Sequence, residues 1–423
     1  MNNNQNNELN RQNLENKDFL ENAKKVPQES VDFVLPQNRE KKRHYKTHSK
    51  NMTFEEKQAE SLDFIFATPH NKKKKRKKKA LKSFGIVMSV IASILVLCVL
   101  TLFIFNQIGK SAMHNYEDMT IEPSPDIASL ESVEDQGKTI IYNNHTYKFN
   151  EKVASVVLMG IDTRDPQYVP SVVGTGGQAD AIYIAVMDTS NKKVTILGVS
   201  RDTMVDVNVY NESGGFVNTD SMQICLSYAY GDSKHSSCEN TITSLERLFY
   251  GIQFDTYFSL NIPAIETLND AVGGVTVTTE SEFYSHSENR TISAGETTTL
   301  YGRDASQFLR TRDIEELKSN SDRMSRHITY MTAFLSQVWS SVKSDPTTVV
   351  DLYNTVDDNS TTNLTPAKMT YLASTAISGI DSYKEIEFIN VPGSIKKGEY
   401  AEFYADEDGL MELILDTFYI QVA

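Results

Sequence analysis

Seven arginines and two aspartates downstream of residue 150 sit in short apolar or turn-bounded fragments. The fragments are VLMGIDTR (Val157 to Arg164), QADAIYIAVMD (Gln178 to Asp188), VTILGVSRDTMVDV (Val194 to Val207), LYGRDASQFLRTRD (Leu300 to Asp313) and NSDRMSRH (Asn320 to His327). The planar fork of arginine matches two phosphate oxygens and stays charged at any physiological pH. If RTR is extended, Arg310 and Arg312 point to one face and converge on one ligand. For any single arginine, a solvated or ion-paired surface role is the commoner one. Asp162 ends a strand and Asp180 begins the next. Carboxylates so placed suit Mg²⁺ or Mn²⁺, with substrate phosphate oxygens completing the shell, although each also suits a turn cap.

The elements that position these residues follow from hydrophobic periodicity. Val153 to Ile161 is a nearly continuous apolar run, as expected of a strand buried on both faces. Ala181 to Met187, Val194 to Val199, Phe254 to Asn261 and Val275 to Thr278 read as further strands. Helices are expected over Asn240 to Tyr250, Pro263 to Ala271, Arg323 to Val342, Thr365 to Ile377 and Glu407 to Phe418. In the third of these, Met324, Ile328, Met331, Leu335 and Val338 form one stripe, with Arg323, Arg326 and His327 beside it. This order predicts an α/β domain, a three-layer α/β/α sandwich with a mixed central sheet, over residues 151–423.

Upstream, Phe84 to Gly109 carries no charge and is long enough at the helical rise to cross a bilayer. The run KKKKRKKK (Lys72 to Lys79) precedes it. The same run would suit nucleic acid, but beside an apolar span it fixes topology, with the N-terminus cytoplasmic and the following domain extracellular. About 80 residues precede the span, unlike a cleavable leader. Residues 1–83 hold 20 Lys and Arg against 11 Asp and Glu, a balance of +9, leaving −23 for the rest of a chain whose net charge is −14. That tail is too poor in apolar residues to fold and is expected to be disordered. Residues 110–150 read as a linker ending in a hairpin, with Asn143 and Asn144 at its turn. The acidic outer part argues against a nucleic-acid partner and makes clustered arginines informative.

Cys225 and Cys238 leave two arrangements open: a disulfide stabilising by about 3 kcal/mol, or two free thiols. No Gly-rich phosphate loop, G-x-S-x-G elbow or HExxH is present, so ordinary hydrolase and nucleotide-binding templates do not fit.

Taken in order, VLMGIDTR, ADAIYIAVMD, SRDTMVDV, LSYAYGD, DAVGGVTVT, LYGRDASQFLRTRD and DRMSRH resemble the LytR-CpsA-Psr family of cell-envelope proteins, over core motifs at 153–342. The resemblance implies a membrane-anchored phosphotransferase that moves a glycopolymer (teichoic acid, capsule or similar) from a polyprenyl-diphosphate carrier to peptidoglycan. It also implies an apolar tunnel for the lipid between sheet and helices. By position, Asp162 and Asp180 match the family's metal-associated aspartates. Arg201, Arg310, Arg312 and Arg323 match its diphosphate-binding arginines, Arg164 and Arg326 match further motif arginines, and Asp202 orients Arg201. Phosphoryl transfer needs positioning and charge neutralisation more than a nucleophilic triad, which suits this set.

Five departures from the family pattern stand out. Gln178 replaces a frequent arginine, removing a positive contact, and Ser200 replaces a proline, loosening a turn. Asn320 replaces an aspartate while Asp322 replaces a glycine, making Asp322 a substitute proton acceptor. His327 replaces a glutamine; a neutral imidazole there still donates one hydrogen bond, while a protonated one would add charge below about pH 6.5. The changes from Asn320 to His327 support a non-catalytic polyprenyl-diphosphate-binding regulator as an alternative reading, and a lipid diphosphate hydrolase, with water replacing the sugar hydroxyl at the same site, is another.

Overall fold

The computed structural model describes residues 100–113, 119–165, 172–191, 193–311, 319–345, 347–379, 386–398 and 400–422, with the backbone alone described at 319–321 and 377–379. The tail expected to be cytoplasmic, Cys98, Arg312 and most of the expected span lie outside these residues. Among the described residues no helix is long and apolar enough to cross a membrane. Residues 100–113, at the end of the apolar stretch, are helical.

The chain forms a mixed α/β fold around a six-stranded sheet. Its strands are β1 (Val153–Ile161), β2 (Ala179–Asp188), β3 (Lys193–Val199), β4 (Thr256–Asn261), β5 (Ser360–Thr362) and β6 (Ile386–Asn390), in the spatial order β5-β4-β1-β2-β3-β6. β1 pairs parallel with β4 and antiparallel with β2, and β3 pairs parallel with β6, so the sheet is mixed. The apolar run of β1 is buried as expected, because it lies between two neighbours with structure on both faces.

After the helix at residues 100–113, the described residues form helices α1 (His235–Leu248), α2 (Ile262–Ala271), α3 (Arg303–Arg310), α4 (Ser319–Ser344), α5 (Thr348–Val356), α6 (Pro366–Gly379) and α7 (Glu407–Phe418). The main core joins Val157, Leu197 and Ile184 of the sheet to Leu245 of α1 and Ile414 and Phe418 of α7. Proline near the start of α2 suits a position whose N–H has no helical partner, and Asn261 caps that helix by accepting from Ala264 N at 3.2 Å.

Two expectations change. The stretch read as a linker is part of the domain: strands Leu130–Glu134, Thr139–Tyr142 and His145–Phe149 form a sheet with Tyr419–Gln421. Met119, Ile121, Ile140, Tyr142 and Phe149 enter the main core. The hairpin turn does fall at Asn143 and Asn144, both at positive φ (49° and 61°), as a two-residue turn matched to strand twist requires. Secondly, Arg303–Arg310 is a helix rather than an extended segment. Arg310 is its last residue, so the alternation argument for Arg310 and Arg312 has no strand to act on. Cys225 and Cys238 are both free and buried, and burial pushes each thiol up to about 12.

Candidate active site

The bottom of the site is a cavity of about 300 Å³ between one face of the sheet and helices α2 and α4. Its wall is almost wholly apolar, with Leu158 from β1, Phe258 and Leu260 from β4, Ile265 from α2, and Met331 and Leu335 from α4. The last two belong to the stripe visible in the sequence. Asp162, Asp180, Arg310 and Arg323 border the same cavity and give it one charged end.

A break in pairing creates that end. Gly160 pairs with Ala181, yet Ile161 pairs with Ala179, which leaves Asp180 as the extra residue of a β-bulge. A bulge re-aims the side chain it carries, and here the carboxylate meets two guanidiniums. Arg201 contacts Oδ1 of Asp180, while Arg323 reaches Oδ2 at 3.4 Å and the backbone carbonyl at 3.1 Å. Asp162, just beyond β1, accepts from the backbone N–H of Gln178 at 2.7 Å, which ties the two strand ends together. One edge of Asp162 is open to solvent. Lost hydration at its inner edge and the charge of Asp180 nevertheless lift its carboxyl above the usual range.

Arg201 is held from several sides. Asp202 Oδ1 lies 3.5 Å from its Nε, Cys225 Sγ lies 3.3 Å from one terminal nitrogen, and Gln178 Oε1 accepts from the same nitrogen. Gln178 therefore aims Arg201 in place of adding a charge of its own. Ser200 does not slacken the turn either: its hydroxyl accepts from Asp202 N at 3.3 Å and its carbonyl from Thr203 N at 3.0 Å.

The remaining predicted residues divide. Arg310 is exposed and borders both the apolar cavity and a neighbouring hollow that Arg164, Arg303, Ser306 and Thr311 share. Arg164 pairs there with Glu266 at 3.0 Å. Arg326 is turned away from the cavity, donating to Phe308 O at 3.3 Å and to Thr311 O at the C-terminal end of α3. Its role is to hold the helix that ends in Arg310. Asp322 is exposed at the start of α4 and borders neither hollow.

His327 is buried, with Nδ1 3.1 Å from the Tyr183 hydroxyl and Nε2 3.0 Å from Leu309 O. A carbonyl only accepts, so Nε2 carries the proton and Nδ1 accepts from Tyr183. Burial, aided by Arg323 and Arg326, pushes the imidazole down to about 4. The ring is neutral at physiological pH, so of the two forms expected for His327 the structure favours the neutral, hydrogen-bond-donating one.

Tyr183, Cys225 and Glu266 are site neighbours that the sequence reading missed. Tyr183 had a signal, since it lies two residues from Ala181 on the cavity face of β2. Cys225 and Glu266 had none, because each meets its arginine only across the fold.

Among the described residues no group of three or more His, Cys, Asp or Glu side chains is placed to hold a metal. Asp162 and Asp180 nonetheless lie close enough for one charge to raise the pKa of the other, an electrostatic conflict that a divalent cation relieves. Two carboxylates plus substrate oxygens is the donor set that Mg²⁺ favours, so the residues fit.

A "Polyisoprenyl-teichoic acid--peptidoglycan teichoic acid transferase TagU" of Enterococcus faecalis is 25% identical over 215 residues, 51% of this chain and 63% of the relative. "Biofilm regulatory protein A" of Streptococcus mutans is 27% identical over 136 residues, 32% of this chain and 30% of the relative. The chain thus spans less than two thirds of either relative. The crystal structure of protein gbs0355 from Streptococcus agalactiae matches with a TM-score of 0.51 at 19% identity, covering 64% of this chain and 91% of that one, a likeness of fold. The model of the LytR_cpsA_psr family matches residues 125–414, and the chain belongs to that family.

Proposed function

We propose that the protein is a membrane-anchored phosphotransferase that attaches a cell-wall glycopolymer, carried on polyprenyl diphosphate, to peptidoglycan. One observation carries this reading: a single cavity is apolar along its length and ends in Arg310, Arg323, Asp162 and Asp180. Such a shape suits an amphiphile with a long hydrocarbon chain and an anionic head. A nucleotide site would need polar walls. The transferase name of the E. faecalis relative supports the same substrate class.

In this reading the prenyl chain fills the cavity and the diphosphate lies among Arg201, Arg310 and Arg323. Asp180 and Asp202 hold Arg201 in position, and Arg326 holds the end of α3. Arg164 and Arg303 extend the positive surface outward, toward the anionic polymer. Mg²⁺ or Mn²⁺ held by Asp162 and Asp180 would neutralise further diphosphate charge. An acceptor sugar hydroxyl forms a new O–P bond to the sugar-linked phosphorus, the bond from that phosphorus to the bridging oxygen breaks, and polyprenyl phosphate leaves. The hydroxyl proton passes to water at the open mouth.

The anchor is the span over residues 84–109, with the N-terminus cytoplasmic and the domain extracellular. Its support is the helix over residues 100–113, which exposes Leu100, Leu102, Phe103, Ile104 and Ile108 while Met113 packs on Ala154 and Tyr371. Gly109 lets that helix approach α6, since a Cβ there would lie 2.1 Å from the carbonyl oxygen of Ala367.

The test is transfer of label from a radiolabelled polyprenyl-diphosphate oligosaccharide to peptidoglycan oligomers by the full-length protein with Mg²⁺, beside Arg310→Ala and Arg323→Ala. Label on the glycan, lost in both variants, supports the transferase. Release to water in place of transfer would identify a hydrolase, binding without turnover a regulator, and no binding would remove the site altogether.

A further inference from the structure

A second cavity, of about 350 Å³, is polar where the first is apolar. Tyr353, Asp357, Asp358, Ser360, Lys234 and His235 are among its lining residues. Its place in the fold is specific. Along β4 the side chains alternate, with Phe258 and Leu260 on the apolar cavity and Ser259 and Asn261 on the polar cleft, so the two hollows lie against opposite faces of one strand. Ile161 borders both, and Asp162 on one side adjoins Thr163 on the other.

We propose that this polar cleft is the acceptor subsite, binding a neutral, hydroxyl- and amide-rich pyranose chain whose attacking hydroxyl reaches over the end of β1 to the diphosphate. The inference rests on the transferase reading above. Displacement at phosphorus is in line, so the acceptor oxygen enters opposite the leaving group. Because the leaving polyprenyl phosphate belongs to the apolar cavity, the acceptor comes from the side away from it, and the polar cleft lies against the opposite face of β4.

The lining matches in chemistry. Carboxylates, hydroxyls and amides supply donors and acceptors for sugar hydroxyls, and Tyr353 supplies an aromatic ring for a pyranose face. Charge separates the two substrates. Asp165, Asp357 and Asp358 outnumber Lys234 among the fixed charges of the cleft, which disfavours the polyanionic donor and leaves it to the arginines.

The Asp357→Ala/Asp358→Ala double variant and the separate variant His235→Ala change exposed side chains. Full-length protein in lipid nanodiscs is assayed for transfer against acceptor concentration. Binding of a neutral β-1,4-linked N-acetylglucosamine tetramer and of the polyprenyl-diphosphate donor is measured in parallel. Removal of two sugar hydrogen bonds is expected to raise the acceptor KM about tenfold and to weaken tetramer binding alike, with donor affinity unchanged. In the unaltered protein, bound tetramer is expected to slow hydrogen exchange over residues 357–362. Unchanged acceptor KM in both variants, or no slowing over those residues, overturns the proposal while leaving the transferase reading intact. Tetramer binding at the cleft without any transfer would keep the glycan site and remove the transferase.

Discussion

Arg323 grips Asp180 at both ends, with one guanidinium nitrogen 3.1 Å from its carbonyl oxygen and another 3.4 Å from its carboxylate. Arg201 contacts the second carboxylate oxygen, so one bulged aspartate is the counter-charge of two guanidiniums, whose side chains are only 12% and 6% exposed. Truncating it leaves buried charge uncompensated, and Asp180 is itself partly hydrated. Asp180→Ala is therefore expected to lose about 2 kcal/mol of stability, and Asp180→Asn less. Calorimetry checks this, with a fall in melting temperature of about 4–8 °C expected for the alanine variant. An unchanged melting temperature would mean that the carboxylate does not hold the arginines in place.

Arg326 acts through backbone. Its guanidinium binds the Phe308 and Thr311 carbonyls where α3 ends, one residue on either side of the Leu309–Arg310 pair. Arg326→Ala should cost about 1–3 kcal/mol, the penalty for leaving such groups unsatisfied. Because Arg310 shifts with the helix end, donor KM should rise too. Arg326→Lys should recover only part, since an ammonium lacks the planar fork that reaches two carbonyls. Lower stability with donor KM unchanged would confine the residue to structural support.

The apolar cavity predicts dependence on lipid length. Met331→Trp or Leu335→Trp places a larger ring where prenyl carbons would lie. Excluding two or more carbons at about 0.8 kcal/mol each should weaken a long-chain donor about tenfold or more. A water-soluble short-chain diphosphate should bind these variants nearly as well as the unaltered protein. Equal losses for both ligands would show that the cavity does not take the lipid.

Buried His327 makes the domain sensitive to acid. Its imidazole is pushed from an ordinary 6.5 down to about 4, so between those values the unfolded chain binds the proton and the folded one does not. Stability contributed by the neutral ring is present above pH 6.5 and declines as pH falls, by about 3 kcal/mol once pH reaches 4. His327→Gln removes the titrating group, so the steepness of melting temperature against pH in this window should decrease. An identical slope in both proteins would show that His327 is not buried and neutral.

Periodicity made much of the fold legible. β1 and α7 were read with their observed ends, and the strands β2, β3 and β4 within two residues, because burial on defined faces leaves a local pattern of apolar side chains. α1 was found but started five residues late, since His235, Ser236 and Ser237 lack an apolar stripe. α3 leaves no clear signal because RDASQFLR is short and mixes polar with apolar residues, while its burial against Val275, Val277 and Phe283 and against Tyr330 of α4 is decided elsewhere. The segment before Asn150 looked like a linker for a similar reason: Met119 and Ile121 are isolated apolar residues until the core receives them.

The sequence by itself determined which charged residues are available, in which order, and beside which buried strands. That much follows from local pattern and motif order. Only the tertiary structure decided their division of labour. Asp180 faces its arginines because a bulge breaks a pairing between distant residues, and of two neighbouring residues Arg326 turns away toward α3 while His327 lies against the apolar cavity, bonded to Tyr183 and Leu309. Direction and burial of a side chain depend on what packs against it from far along the chain, and no local spacing encodes that.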